Sequence, residues 1–245
     1  MKNSDLRLRP VLLLALSLLL LGLPALVGAQ ESDVRADRWS DRLGDIHTQL
    51  AEENYTEARD VAVSLTEEML DHLGAGDNAE YTMAVVTAFR ALAETGLGNS
   101  EDGLWFWRTA TILYPAFAER DLSVYGEPAE WLVSQEFRGD FQAPVEITDV
   151  QPPSVVESMP APRPGAIGDL ETENVEVAVE VIIGVDGDAR EPRLVEAPEV
   201  PSVVFSALDT LRQWRFEPAT LSATPVAVGQ TVVVPLAASE PETTG

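Results

Sequence analysis

The sequence predicts an α+β protein with an N-terminal α-helical hairpin region, a Pro-rich linker and a C-terminal β-β-α-β unit. Three observations carry this expectation. Apolar residues recur at helical spacing through residues 30–140, prolines crowd 141–166, and β-branched runs flank one helical stretch in 167–238. Residues 1–29 precede these units and a short tail, 239–245, follows them.

The first helix is expected over 32–53. Ser32 is placed as its cap, Asp33 suits its N-terminal dipole, and Trp39, Leu43, Ile46 and Leu50 share one face. A second is expected over 56–72 with Thr56 as cap and a stripe of Ala58, Val61, Ala62, Leu65, Met69 and Leu70. A glycine-rich turn over 74–78 separates it from a third over 79–95, where Met83, Val86, Phe89, Ala91 and Leu92 are apolar. Gly96-Leu97-Gly98-Asn99 breaks that helix. A fourth covers 100–113, with Ser100 as cap and Pro115 as terminator. A weaker helical stretch is expected over 128–137.

The run from Gly98 to Pro115 resembles the second-helix pattern of tetratricopeptide repeats. Gly103 takes the small crossing position, Trp107 the aromatic one, Ala110 the second small one and Pro115 the stop. A fainter copy is Tyr55, Ala58, Ala62 and Leu65. The copies lie about 45 residues apart, against roughly 34 in regular repeats, so an ordinary helical bundle is the competing reading. Trp105, Phe106 and Trp107 in succession cannot all face one helical core, so one of them is expected to be exposed or in a groove.

Pro144, Pro152, Pro153, Pro160, Pro162 and Pro164 forbid a helix in 141–166 and make it a linker or an extended lead-in strand. Beyond it, 175–183 reads as a strand, Asp186-Gly187 as the positive-φ pair of a hairpin turn, and 189–196 as the returning strand. Residues 201–213 form a helix with Pro201 in its first turn and Val203, Val204, Ala207, Leu208 and Leu211 on one face. Trp214-Arg215-Phe216-Glu217-Pro218 leaves it extended, with Trp214 and Phe216 inward. A last strand spans 226–234.

This order, and above all the Trp-Arg-Phe-x-Pro end of the helix, resembles the C-terminal domain of TonB-family energy transducers. The resemblance covers about residues 150–238. It implies binding to outer-membrane TonB-dependent receptors, or another envelope protein, by pairing a strand with a short receptor segment. The physical basis is β-augmentation, in which a foreign strand satisfies the free amides of a sheet edge. The candidate docking edge is the last strand, with Val226, Val228, Gln230, Val232 and Val234 on one face. Pro235 at its end suits an edge position. The competing reading is an edge already covered by a partner subunit, as in a homodimer, or by the tail.

Basic residues at the N-terminus, an apolar run over 11–27, Pro24, and small residues Val27 and Ala29 read as a secretory signal cut after Ala29. The alternative is an uncleaved inner-membrane anchor, which would bring inner-membrane motor proteins as partners. The run sits at the short edge of the roughly 17–25 residues that span a bilayer, and it lacks the histidine of proton-driven transducers. Either way the expected location is the periplasm or cell envelope. There is no cysteine, so neither disulfides nor a lipoprotein anchor is expected.

The formal charge of −25, spread over both halves, argues against nucleic acid and anionic lipid as partners. Catalytic chemistry is not expected. The two histidines, His47 and His72, lie on separate helices, Glu68 with His72 makes too small a metal set, and no phosphate loop or nucleophile elbow occurs. The expectation is therefore a TonB-like binding protein with no cofactor or metal. Its alternative is an unpowered periplasmic adaptor whose helical half grips a second partner.

Overall fold

Apolar periodicity becomes helix at each place the sequence marks in the computed structural model, which describes residues 30–73, 78–135, 150–165, 167 and 174–238. The expected signal or anchor, most of the turn at 74–78, the end of the helical stretch expected over 128–137, residues 141–149 and 166 of the linker, and the tail lie outside the described residues. The helices are α1 (Gln30–Ala51), α2 (Tyr55–His72), α3 (Ala79–Gly96), α4 (Ser100–Leu113) and, after two 3-10 turns, α5 (Glu127–Ser134). Consecutive members of α1–α4 pack across short turns.

The expected caps differ. Ser32 lies inside α1, and α2 and α4 start after Asn54 and Asn99 instead of at Thr56 and after Ser100. Both asparagines reach backward: Nδ2 of Asn54 donates to Gln49 Oε1 at 3.0 Å, and Nδ2 of Asn99 to Glu94 Oε2 at 2.8 Å. Their main-chain N–H groups donate to the carbonyls of the same two residues at 2.8 and 2.9 Å. The preceding residue is left-handed in both, Glu53 at φ 61 and Gly98 at φ 86. The same Schellman-type turn thus occurs once in each repeat copy.

Gly103 sits at the crossing of α3 and α4, where a Cβ would collide with the Thr95 side chain and lie 3.1 Å from the Ala91 carbonyl. Trp105, Phe106 and Trp107 are all buried, contrary to the expectation that one would be exposed. The reason is tertiary. Helix α4 packs on α3 and α5 and also on the C-terminal half, so nearly its whole circumference is covered.

The C-terminal half has β1 (Val150–Gln151), β2 (Ser154–Glu157), β3 (Glu176–Ile183), β4 (Ala189–Glu196), α6 (Pro201–Leu211), β5 (Arg215–Glu217), β6 (Ala219–Leu221), β7 (Thr224–Val226) and β8 (Val228–Pro235). Three small antiparallel sheets have the orders β1-β6-β7, β2-β5 and β4-β3-β8. Residues 150–165 are therefore an extended lead-in that supplies two short strands, and not a free linker. They are fastened further by Trp214 Nε1 donating to the Met159 carbonyl at 3.0 Å and Ser206 Oγ donating to that of Pro162 at 2.6 Å.

Helix α6 is buried on every side except at Asp209. Its packing partners are β3 and β8 in one direction and α2, α3 and α4 in the other. Helical and strand halves consequently share one continuous apolar cluster. Charges reinforce the junction: Arg212 Nη1 donates to Asp102 Oδ1 at 2.7 Å, Arg90 lies 3.8 Å from Asp209 Oδ1, and the Arg90 guanidinium stands 3.9 Å from the Phe106 ring centre.

The 184–188 connection differs from the expected turn. Only Gly187 is left-handed, at φ 83. Asp186 instead accepts from the Asp188 N–H at 3.2 Å and pairs with Arg190. The Gly187 carbonyl accepts from the Phe216 N–H at 3.0 Å, so a side chain there would run into the Phe216 main chain. A Gly187→Ala variant is expected to lose at least ~2 kcal/mol in urea titration, from a disfavoured φ plus the displaced contact. The β6–β7 hairpin uses two non-glycine residues with positive φ, Ser222 at 51 and Ala223 at 64. A Ser222→Asn, Ala223→Gly double variant, which supplies the residues this turn favours, is expected to gain about 1–2 kcal/mol in the same measurement.

A candidate strand-docking edge

The β4-β3-β8 sheet has two outer edges, and the sequence treats them differently. β4 is interrupted twice, by register shifts opposite 178–179 and 180–182. It contains Pro192, holds Glu191 at φ 50, and packs against α4. Bulges, proline and a covering helix are the usual devices that stop an edge from pairing further.

β8 has no such break along its pairing with β3, and its one proline, Pro235, stands at the very end of the strand. The register runs without a shift from Glu176↔Pro235 to Ile183↔Val228. No ionisable residue occurs in Val228–Pro235, and Val233 is 48% exposed.

Main-chain direction decides which groups are free. The Leu236 N–H donates to the Val175 carbonyl at 2.9 Å, toward β3. On the opposite side the Ala161 N–H donates to the Pro235 carbonyl at 2.8 Å, and the Ala237 N–H to the Ala161 carbonyl at 2.8 Å. Backbone direction alternates along a strand as side chains do. Even-numbered residues therefore turn their amides to β3, and odd-numbered residues turn theirs outward.

The candidate residues divide accordingly. Val228, Gln230, Val232 and Val234 direct both amides and side chains inward, and Val232 and Val234 are buried in the core. Val226 lies outside this strand altogether: it ends β7 and pairs with Ala219 in another sheet. The outward amides belong to Gly229, Thr231 and Val233, which among the described residues have no ladder partner on that side. Sequence alternation grouped Val226 with the even-numbered set and assigned docking to it, whereas the amides that turn away from β3 belong to the other set, which only the position of β3 decides.

The edge is bounded at its end. Ala161 covers Pro235 and Ala237, and Arg163 Nε donates to the Ala237 carbonyl at 2.8 Å. Space for a foreign strand thus centres on 229–233.

The other candidate side chains have structural partners. His47 Nδ1 lies 2.8 Å from Tyr125 Oη in the helical core, and burial pushes its pKa below the ordinary 6.5. His72 Nδ1 meets the Glu68 carbonyl oxygen at 3.0 Å, whereas the Glu68 carboxylate is held by Arg38, Arg42 and Trp39. Among the described residues no group of three or more His, Cys, Asp or Glu is placed to hold a metal, and no helix is long and apolar enough to cross a membrane.

Compared with family models, curated proteins and solved structures, the chain gives no match.

Because folding lowers the His47 pKa, the unfolded chain binds a proton more readily than the folded one below about pH 6.5. His47 therefore contributes a loss of stability as pH falls through that value and none well above it. Thermal melts of the parent and a His47→Gln variant, followed from pH 7.5 to 5, are expected to show a shallower acid-side decline for the variant.

Proposed function

We propose that this chain is a TonB-like envelope protein that captures an extended segment of an outer-membrane transporter by strand addition along β8. One observation carries the reading: β8 presents the outward amides of Gly229, Thr231 and Val233 along a straight, uncharged edge, while the opposite edge of the same sheet is blocked. The incoming strand supplies carbonyls and N–H groups to that row. Its affinity comes from the main chain, and its selectivity from side chains meeting Val233 and Thr231 on the exposed face.

Energy coupling requires residues 1–29 to remain as an anchor, whereas an unpowered adaptor requires only the edge. The direct packing of α6 on α2, α3 and α4 favours the adaptor. It joins the docking sheet directly to the helical half, where a force-transmitting protein would want a reaching spacer. The adaptor reading predicts a mature chain beginning at Gln30 when the exported protein is weighed by mass spectrometry.

The docking test follows from amide direction. Thr231→Pro removes an outward N–H and leaves the β3 ladder intact, so the fold is expected to persist while capture of transporter segments drops at least tenfold. Val232→Pro removes an inward N–H and is expected to damage the sheet itself. Undiminished capture by a folded Thr231→Pro variant excludes β8 as the docking edge.

A further inference from the structure

The two repeated turns, at 50–55 and 95–100, open at the same end of the helical half, and a cleft of about 510 Å³ lies between them and α5. Its apolar walls include Leu50, Tyr55, Tyr125, Pro128 and Trp131. Tyr55 and Trp131 are half-buried against the core, with the remainder of their surface open. Tyr55 is seated on Gly96, where any side chain would intrude into its ring. Glu53 and Glu127, both exposed, also line the cleft, and neither makes an ion pair among the described residues.

Three properties converge here. The volume is that of a small-ligand site. Aromatic faces are negative at their centres and attract cations. Burial, followed by the charges of Glu53 and Glu127, pushes the Tyr55 phenol up, so both carboxylates act on the same aromatic wall.

Comparison of the turns adds a fourth. The left-handed position is Gly98 in one copy and Glu53 in the other. Glutamate at φ 61 costs free energy that glycine avoids. The costly residue is the one that places a carboxylate on the cleft.

We propose that this cleft binds a small organic cation, an alkylammonium ion whose charged head and adjoining methylenes lie against the Tyr55 and Trp131 rings while Glu53 and Glu127 neutralise its charge. The chain's charge of −25 favours the approach of such ions. The site is separate from β8 and does not depend on the docking reading.

Calorimetric titration of the exported chain with n-butylammonium, with Trp131 fluorescence as a second signal, tests this. Trp131 is the useful reporter because Trp39, Trp105, Trp107 and Trp214 are buried. Saturable binding of butylammonium, with none of neutral n-butanol, is expected. Glu53→Gln and Glu127→Gln should each weaken it roughly two- to fivefold. Glu53→Gly should weaken it similarly while raising the melting temperature, which separates the carboxylate's binding role from the fold. A blocked Gly-Lys-Gly peptide, run alongside, distinguishes a partner's lysine from a free amine: whichever binds more tightly identifies the source. Equal affinity for butanol and butylammonium, or unchanged affinity in Glu53→Gln, overturns the proposal.

Discussion

The β3–β8 ladder is the constraint on which both the core and the proposed docking surface depend. Its unbroken register pairs Val177, Val179, Val181 and Ile183 with Val234, Val232, Gln230 and Val228. The same alternation sends the Val232 and Val234 side chains under α6 and leaves Gly229, Thr231 and Val233 with amides facing away from β3. A slip of one residue would reverse both sets at once, exposing valines and burying the free amides against β3. Core packing therefore specifies the edge. The strand cannot be inward for stability and outward for binding in any other register.

Helix α6 turns two sequence segments into one body. An amphipathic surface helix needs one covered side, but α6 is apolar or small nearly all round and is covered on two. Ser206 binds the lead-in segment at the Pro162 carbonyl. Arg90 and Arg212 then close the junction around Phe106. Burial holds the Arg90 pKa below its ordinary value, with Asp209 as the main opposing influence. The Arg90–Asp209 pair, with side chains 14% and 27% exposed, ties α3 to α6 across this junction.

The helical half uses one turn twice and departs from its own pattern once. Asn54 and Asn99 make matching bonds, to Gln49 and Glu94. Glycine occupies the left-handed position only in the second copy. Both turns border the aromatic cleft, and only the first sets a carboxylate there, at a local conformational cost.

The sequence by itself determined element identity and boundaries with useful accuracy. Helical apolar spacing located α1–α4, Pro115 stopped α4, and alternation in 214–217 placed Trp214 and Phe216 inward and Arg215 and Glu217 outward. These are local properties, governed by the 3.6- and 2-residue periods of the backbone. Tertiary structure alone decided the rest. It buried Trp105, Phe106 and Trp107 together, because a second half covers α4. It split the expected last strand at Ala227, sending Val226 to β6 and the remainder to β3. It also fixed which amides of β8 turn away from β3. Period-two alternation divides a strand into two equivalent sets, and only the position of a neighbouring strand, contributed from far away in the chain, distinguishes the paired set from the open one.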